Sequence, residues 1–529
     1  MLLKPNFLSV CSDGSTDSAI TEEEILYARY AIKGEVFVTF LGLVSVPKAD
    51  ANHITRAISD GVEKILGDSE WKKKLVGIGT DRAAVMTGRV NGVVAQFQKE
   101  VPYAVGVHCM AHRLELSFKD AAKNNSCQSK LDSLLLGLYH FYHFSPLNRA
   151  NLKASFQSLE MKILIPTRVG GTRWVSHVQR ALEHFLDGYR AIVQHLQQIQ
   201  SPDAVGVNKD QQAKAKNYFK HSTSLDIVKY AAFMSDVLHH LGALSCKIQI
   251  KTVSIAEIHS SIESTKILLE RMKTRPGPRL PKLDGKTSFE GNDLSGNDAA
   301  FISSRRKLLD QLLISLDKRF VDVMNEGIIQ ATSLTSFKFW LDKQNMTEFG
   351  DNWVDALVTH FTPALEAAGA DSVRIGDEWA VVKSFIYSKP EWQEKLCKLT
   401  WPELNRSFSS ECPNLLALID LVLSLPASTA ECERGFSHMK RIKSDLRSTL
   451  NSDALNDLML TQLLAPSVRQ FTPKQAVEVW LKKGPRQRRP NFTRRSSTQS
   501  QPDSLTQNLS DSDSESDSES VHLSHSEPD

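Results

Sequence analysis

Apolar residues in the first hundred positions fall into short runs separated by turn-forming residues. Residues 5–12 read as a strand that ends at Asp13. Residues 25–32 (ILYARYAI) and 35–44 (EVFVTFLGLV) read as two more, with Lys33 and Gly34 as a two-residue hairpin turn. The period then lengthens. Ile54, Ala57, Ile58, Val62 and Ile65 recur on one face of a helix over 50–67. Residues 75–79 form a short apolar run that delivers Asp81, and a helix is expected from there to about Gln98. Residues 104–107 read as a fifth strand and 109–123 as a helix. Three hairpin-linked strands followed by alternating helices and strands predict an α/β fold. In such a mixed sheet, with helices packed on it, ligands gather at the strand ends.

From about 128 to 345 the pattern is helical. Leu225, Val228, Ala231, Ala232, Val237, Leu238, Leu241 and Leu244 mark one long helix that faces the core along most of its surface. A stretch rich in Pro, Gly and Asp (274–298) interrupts this block and reads as a mobile loop. Further helices are expected over 352–400 and 411–465. Order is expected to end near 484, because the tail has no means of building a core. Its basic block KKGPRQRRPNFTRR (482–495) holds seven cations and no acid, and its segment SDSDSESDSES (510–520) alternates Ser with acids. The basic block suits nuclear import or nucleic-acid contact.

Composition narrows the class. With 41% hydrophobic and 24% charged residues the chain reads as a globular protein. No apolar run approaches the roughly 20 residues that span a bilayer. The apolar start of MLLKPNFLSV is too short for a signal peptide, so an intracellular protein without a membrane partner is expected. The seven cysteines are scattered, odd in number and without a CxxC pair, so reduced thiols are expected, with neither a disulfide framework nor a zinc finger. The net charge of +3 says little; the separation of signs in the tail says more.

The candidate chemistry rests on three acids. Asp13 lies in SVCSDGSTD, Asp81 in VGIGTDRAAVMTG, and Glu433 in SLPASTAECERGFSHMKRIKS. Each has an ordinary alternative: a turn for Asp13, a helix cap for Asp81, a surface acid for Glu433. Together, carboxylates from two strand ends and a distant helix are the parts of a divalent-metal phosphoryl-transfer site. The helix around Glu433 also carries His438, Lys440, Arg441, Lys443 and Arg447, a basic face suited to phosphate. Leu446, Leu450, Leu455, Leu458, Met459 and Leu463 supply apolar positions for the core or for a partner chain.

In five places the chain resembles the transposases of the hAT superfamily and the host genes derived from them, the zinc finger protein 862-like group among these. They are DGSTD at 13–17, TDRAAVMTGRVNGVVA at 80–95, HCMAHRLEL at 108–116, TRWVS at 172–176 and LSLPASTAECERGFSHMKRIKSDLRSTL at 423–450. The resemblance implies an RNase H-like core interrupted by a large all-helical insertion. On that scheme, 1–127 is the first part of the core, 128–400 the insertion, 401–481 the rest of the core with the dimerisation region, and 482–529 the disordered tail. It implies that Asp13, Asp81 and Glu433 are the catalytic acids and the ligands of Mg²⁺ or Mn²⁺ in an active enzyme. It implies that Trp174 stacks on an extruded base beside Arg173; Lys440, Arg441 and Lys443, from the basic face read above, are the further candidates for DNA contact. Cys109 and His112 match a short family motif. A structural or DNA-facing role is expected for them, and no zinc, because a structural zinc needs four ligands and no second pair is apparent.

Self-association through about 411–465 follows from the same resemblance, as does a nuclear location. Two departures bear on activity. The chain begins almost at the first catalytic strand, without the finger that family members carry upstream. Arg82 stands beside Asp81 where the family more often has Gly. The acid triad is nevertheless complete, and the expected function is that of a domesticated nuclear protein whose main retained activity is self-association, with non-specific DNA contact beside it. The alternative is an active Mg²⁺-dependent strand-transfer enzyme.

Overall fold

The computed structural model describes residues 4–16, 21–67, 70–81, 83–170, 174–202, 206–283, 285–321, 327–340, 347–388 and 396–482. A five-stranded sheet has the order β3-β2-β1-β4-β5. Its strands are β1 (Leu8–Thr16), β2 (Glu22–Ile32), β3 (Glu35–Ser45), β4 (Leu75–Thr80) and β5 (Val105–His108). The first three pair antiparallel, whereas β4 and β5 run parallel to β1. The β2–β3 turn is made by Lys33 (φ 54) and Gly34 (φ 79), the left-handed pair that a tight hairpin needs.

Both faces of the sheet are covered, and this is why β2 is buried along nearly its whole length. On one face lie α1 (Ala51–Leu66) and α2 (Val93–Glu100), which bury Ile58, Val62 and Phe97 against Val10, Leu26 and Ala28. Asp50 caps α1 by accepting from His53 N, and Gly67 (φ 61) ends it. The helix expected from Asp81 to Gln98 is broken: a single turn at Ala84–Thr87 precedes α2. The break is a close backbone approach, since a Cβ on Gly92 would lie 2.5 Å from Gly88 N.

A helical body follows: α3 (Met110–Ala122), α4 (Ser126–His143), α5 (Pro146–Ser158), α6 (Trp174–Asp187), α7 (Tyr189–Ile199), α8 (Lys209–Ser222), α9 (Leu225–Ile248), α10 (Ile255–Thr274) and α11 (Ala299–Arg319). The central α9 is buried on nearly all sides, as its apolar pattern predicts. The 274–298 stretch is tied down rather than loose. It forms a helical turn at Leu280–Leu283 and a hairpin of Ser288–Phe289 with Asn292–Asp293. Leu280 and Leu283 are buried, and the Asp236 carboxylate of α9 accepts from Arg279 N at 3.2 Å and Leu280 N at 3.3 Å. The composition showed the turns; it did not show the anchor.

The chain returns through α12 (Asp351–Ala367), α13 (Ile375–Ser388), α14 (Trp401–Phe408) and α15 (Pro413–Ser424) to the other face of the sheet. There α16 (Ala430–Ile442) and α17 (Ser452–Leu464) bury Cys432, Phe436, Met439, Leu455 and Met459 against Cys11, Ile25, Tyr27 and Phe40. Two polar devices join the late helices to the first strands. The Asp420 carboxylate of α15 accepts from Lys33 N (2.8 Å) and Gly34 N (2.7 Å), holding the hairpin turn. The buried Arg29 guanidinium donates to the carbonyls of Leu423 (3.1 Å), Lys251 (3.2 Å) and Val253 (2.8 Å). All of this lies in one compact unit, Met1–Ala465. A second unit begins at Pro466; its described part contains α18 (Lys474–Lys482). The basic block from 483 onward and the acidic serines lie outside the described residues.

Candidate functional site

β1 does not stop at Asp13 but continues to Thr16, so Asp13 stands inside a strand, paired with Ile25 on β2. On its other side β1 runs parallel to β4, with Cys11 opposite Gly79. Two residues further along each chain the register brings Asp13 level with Asp81, which directly follows β4. Alternation sends Asp13 to the face of Cys11, the face that α16 covers. Asp81 Oδ1 accepts from Ala83 N at 3.0 Å, closing an Asx turn at the strand end and not the helix cap that the spacing also allowed.

Glu433 comes in on the first turn of α16. This helix sits unusually close to the sheet because of Gly435, where a Cβ would meet Ile25 Cδ1 at 2.2 Å and the Tyr27 hydroxyl at 2.8 Å. The approach of α16 is set by Cys109, which is buried between α3 and residues 427–429. Thr429 N donates to Cys109 Sγ (3.3 Å), Ser428 Oγ lies 3.7 Å from the same sulfur, and Met110 N donates to Ala427 O (3.3 Å). Arg434, ion-paired with Glu431, also donates to Gln249 O (2.7 Å) at the end of α9.

Asp13 feels the charges of both other acids. The Asp13 carboxyl is pushed up to about 8, first by burial and then by the negative charges of Asp81, Glu24 and Glu433. Two further acids belong to this neighbourhood. Glu24, across from Gly14 on β2, is pushed up to about 7 by burial, with Asp81 adding to the shift and a hydrogen bond from the Ser12 hydroxyl opposing it. Glu115 of α3 is also raised to about 7, mainly by burial, with Glu433 adding and Val175 N, Lys119 opposing. Its Oε1 accepts from Val175 N at 3.4 Å, at the start of α6, and its Oε2 is buried with no hydrogen-bond partner among the described residues.

Neither Glu24 nor Glu115 stood out in the sequence. Glu24 closes a run of three glutamates at the start of an apolar strand, and Glu115 lies unremarked inside HCMAHRLEL. Their significance comes from burial, which no spacing encodes.

The donor chemistry of this cluster, carboxylate oxygen throughout, suits a hard dication. Its spacing is looser: among the described residues no three His, Cys, Asp or Glu side chains close into a group that could hold a metal ion.

The basic residues divide. Lys440 and Arg441 are exposed on the last turn of α16, as is Arg447 beyond it. Lys443 is buried, so it does not share their outward face. Trp174 opens α6, but its side chain and all of Arg173 lie outside the described residues. Among the described residues no helix is long and apolar enough to cross a membrane.

Residues 388–463 match the hAT family C-terminal dimerisation region. The matched span runs from the end of α13 through α14, α15 and α16 into α17, and so holds Glu433, Lys440 and Arg441. The match supports a protein related to hAT transposases that associates with itself through this region.

Proposed function

We propose that this chain is a transposase-derived nuclear protein that self-associates through its C-terminal region and contacts DNA through the exposed end of α16. The observation that carries the reading is the match of residues 388–463 to the dimerisation region. Lys440, Arg441 and Arg447 support the DNA contact, because exposed cations at the end of α16 and just beyond it suit phosphate. Descent from an RNase H-like transposase of the zinc finger protein 862-like group is part of this proposal. The strand order β3-β2-β1-β4-β5 supports it, as does the packing of a late helix against β1 and β2. The test is sedimentation of the full chain together with duplex DNA binding. The expected result is a self-associated species whose DNA affinity falls several-fold, with a shallower salt dependence, in Lys440→Glu/Arg441→Glu. A chain that sediments as a monomer at all concentrations defeats the reading.

The second reading is Mg²⁺- or Mn²⁺-dependent strand transfer with Asp13, Asp81 and Glu433 as ligands. It is supported by the state of Asp13, which is raised to about 8 first by burial and then by the charges of Asp81, Glu24 and Glu433; a dication would offset that negative charge. A bound dication would supply Lewis-acid stabilisation of phosphate oxygens. The protein would have to draw the three acids closer together than they stand. Metal-dependent nicking that vanishes in Asp81→Asn would establish this reading; its absence in the wild-type chain leaves the binding function alone.

A further inference from the structure

The C-terminal end of α4 reads LYHFYHFSP (138–146). Its inward rings, Phe141 and Tyr142, are buried, and the Tyr142 hydroxyl lies 3.1 Å from His195 Nδ1. Its outward rings form a separate ladder. Tyr139 stacks on His143 one turn later (4.8 Å, 23°), His140 lies 5.6 Å from Phe144, and His143 meets Phe144 edge-on at 4.8 Å. Phe144 is 73% exposed, and both histidines are exposed. The core does not use these rings, and a contiguous outward aromatic group is unusual on a protein surface.

The surroundings are basic. Arg149 and Lys153 are exposed on successive turns of α5, which follows Phe144 after Ser145 alone. α8 packs along α4 in the opposite direction. Tyr218 lies over Gly137, where a Cβ would meet its ring at 2.5 Å, and Asn217 and His221 line a groove with Lys130 and Ser133. The first half of α8, with Lys209 and Lys214, therefore runs beside the ring ladder. Gly206, just before α8, confirms the proximity: a Cβ there would lie 3.3 Å from Leu147. Helices α4, α5 and α8 together carry seven lysines and arginines and two acids. Lys214 is paired with Asp210 (2.7 Å) and Lys130 with Asp226 of α9 (3.5 Å), and Asp132 accepts from Gln128 (2.8 Å). The balance of charge on these three helices stays positive.

Flat exposed rings beside the exposed cations of α5 match a polyanion with accessible planar faces. Duplex DNA hides its base faces; an unpaired strand presents them together with phosphates. We propose that the α4–α5–α8 surface binds single-stranded DNA, with Phe144 and the Tyr139–His143 pair stacking on bases and Arg149 and Lys153 contacting phosphates. Nothing in this proposal depends on the α16 contact or on the acidic cluster.

The test is fluorescence anisotropy of labelled oligodeoxythymidine with the full chain. Phe144→Ala, an exposed change, is expected to weaken binding roughly ten-fold with little change in salt dependence. Arg149→Glu/Lys153→Glu is expected to weaken binding and to flatten the slope of log Kd against log salt by about 1–2. Circular dichroism of each variant should match the wild type. Unchanged affinity in both variants overturns the proposal. So does loss of binding only in Lys440→Glu/Arg441→Glu, or a preference for oligouridine above ten-fold. A Phe144→Ala chain that changes its oligomeric state while keeping DNA affinity also overturns it, because the rings would then be an interface between copies.

Discussion

At the scale of single residues, burial gives ordinary side chains unusual properties. Burial and three neighbouring carboxylates raise Asp13 to about 8, which its sequence context does not reveal. Between the unfolded value near 4 and about 8 the folded chain holds a proton that the unfolded chain has released. Stability must therefore fall as pH rises through that window, and the acids at about 7, Glu24 and Glu115, act in the same direction. Urea midpoints measured from pH 5 to 8 should decline in the wild type and decline less in Asp13→Asn. An equal slope in both chains would deny the Asp13 shift. Gly435 provides a second test. An Ala inside a helix ordinarily gains up to about 1 kcal/mol over Gly. Here the added carbon would stand 2.2 Å from Ile25 Cδ1, and overpacking on that scale costs about 1–3 kcal/mol. The clash wins, so Gly435→Ala should lower the urea midpoint.

At the scale of elements, the late helices complete what the early strands begin. The β2–β3 hairpin was readable from alternation and from Lys33-Gly34 alone. Its fastening was not, because Asp420 lies far away in the chain. Two backbone N–H groups donate to that one carboxylate. Asp420→Ala removes both acceptors, and the loss of a charged hydrogen-bond acceptor costs about 1.5–3 kcal/mol. A fall of that size in unfolding free energy is expected, with faster amide exchange at Lys33 and Gly34. Unchanged exchange at those two amides would show that the turn holds without its clamp. Cys109 illustrates the same dependence. The Cys-x-x-His spacing suggested a motif, whereas its sulfur accepts from Thr429 N and helps set the entry of α16. The break between Ala84–Thr87 and α2 had a signal in Gly88 and Gly92, which the periodic reading passed over.

At the scale of the whole molecule, the sheet and the helical body form one unit to Ala465. The matched dimerisation region, 388–463, lies wholly inside it. A chain ending at Ala465 should therefore fold and still self-associate, as judged by analytical ultracentrifugation. Loss of association in a folded 1–465 chain would place the interface further along. Arg29 shows why the sheet and the helices should not be separable. Its guanidinium joins β2 to residues 251 and 253 and to the end of α15, so a fragment without those carbonyls would leave a buried charge unpaired.

Local order was written in the chain. Period-two runs, period-3.6 runs and a left-handed turn pair depend on neighbours a few residues apart, and these placed the five strands, α1 and α9 close to where they stand. The sequence also singled out Asp13, Asp81 and Glu433. Only the tertiary structure decided that Asp81, just past the end of β4, and Glu433, on α16, come near Asp13 of β1, and that Glu24 and Glu115 join them. It likewise turned Lys443 inward and left the α4 rings outside. The physical reason is that charge interaction and desolvation depend on distance in space and on exclusion of water, and both are created when segments far apart in the chain pack together.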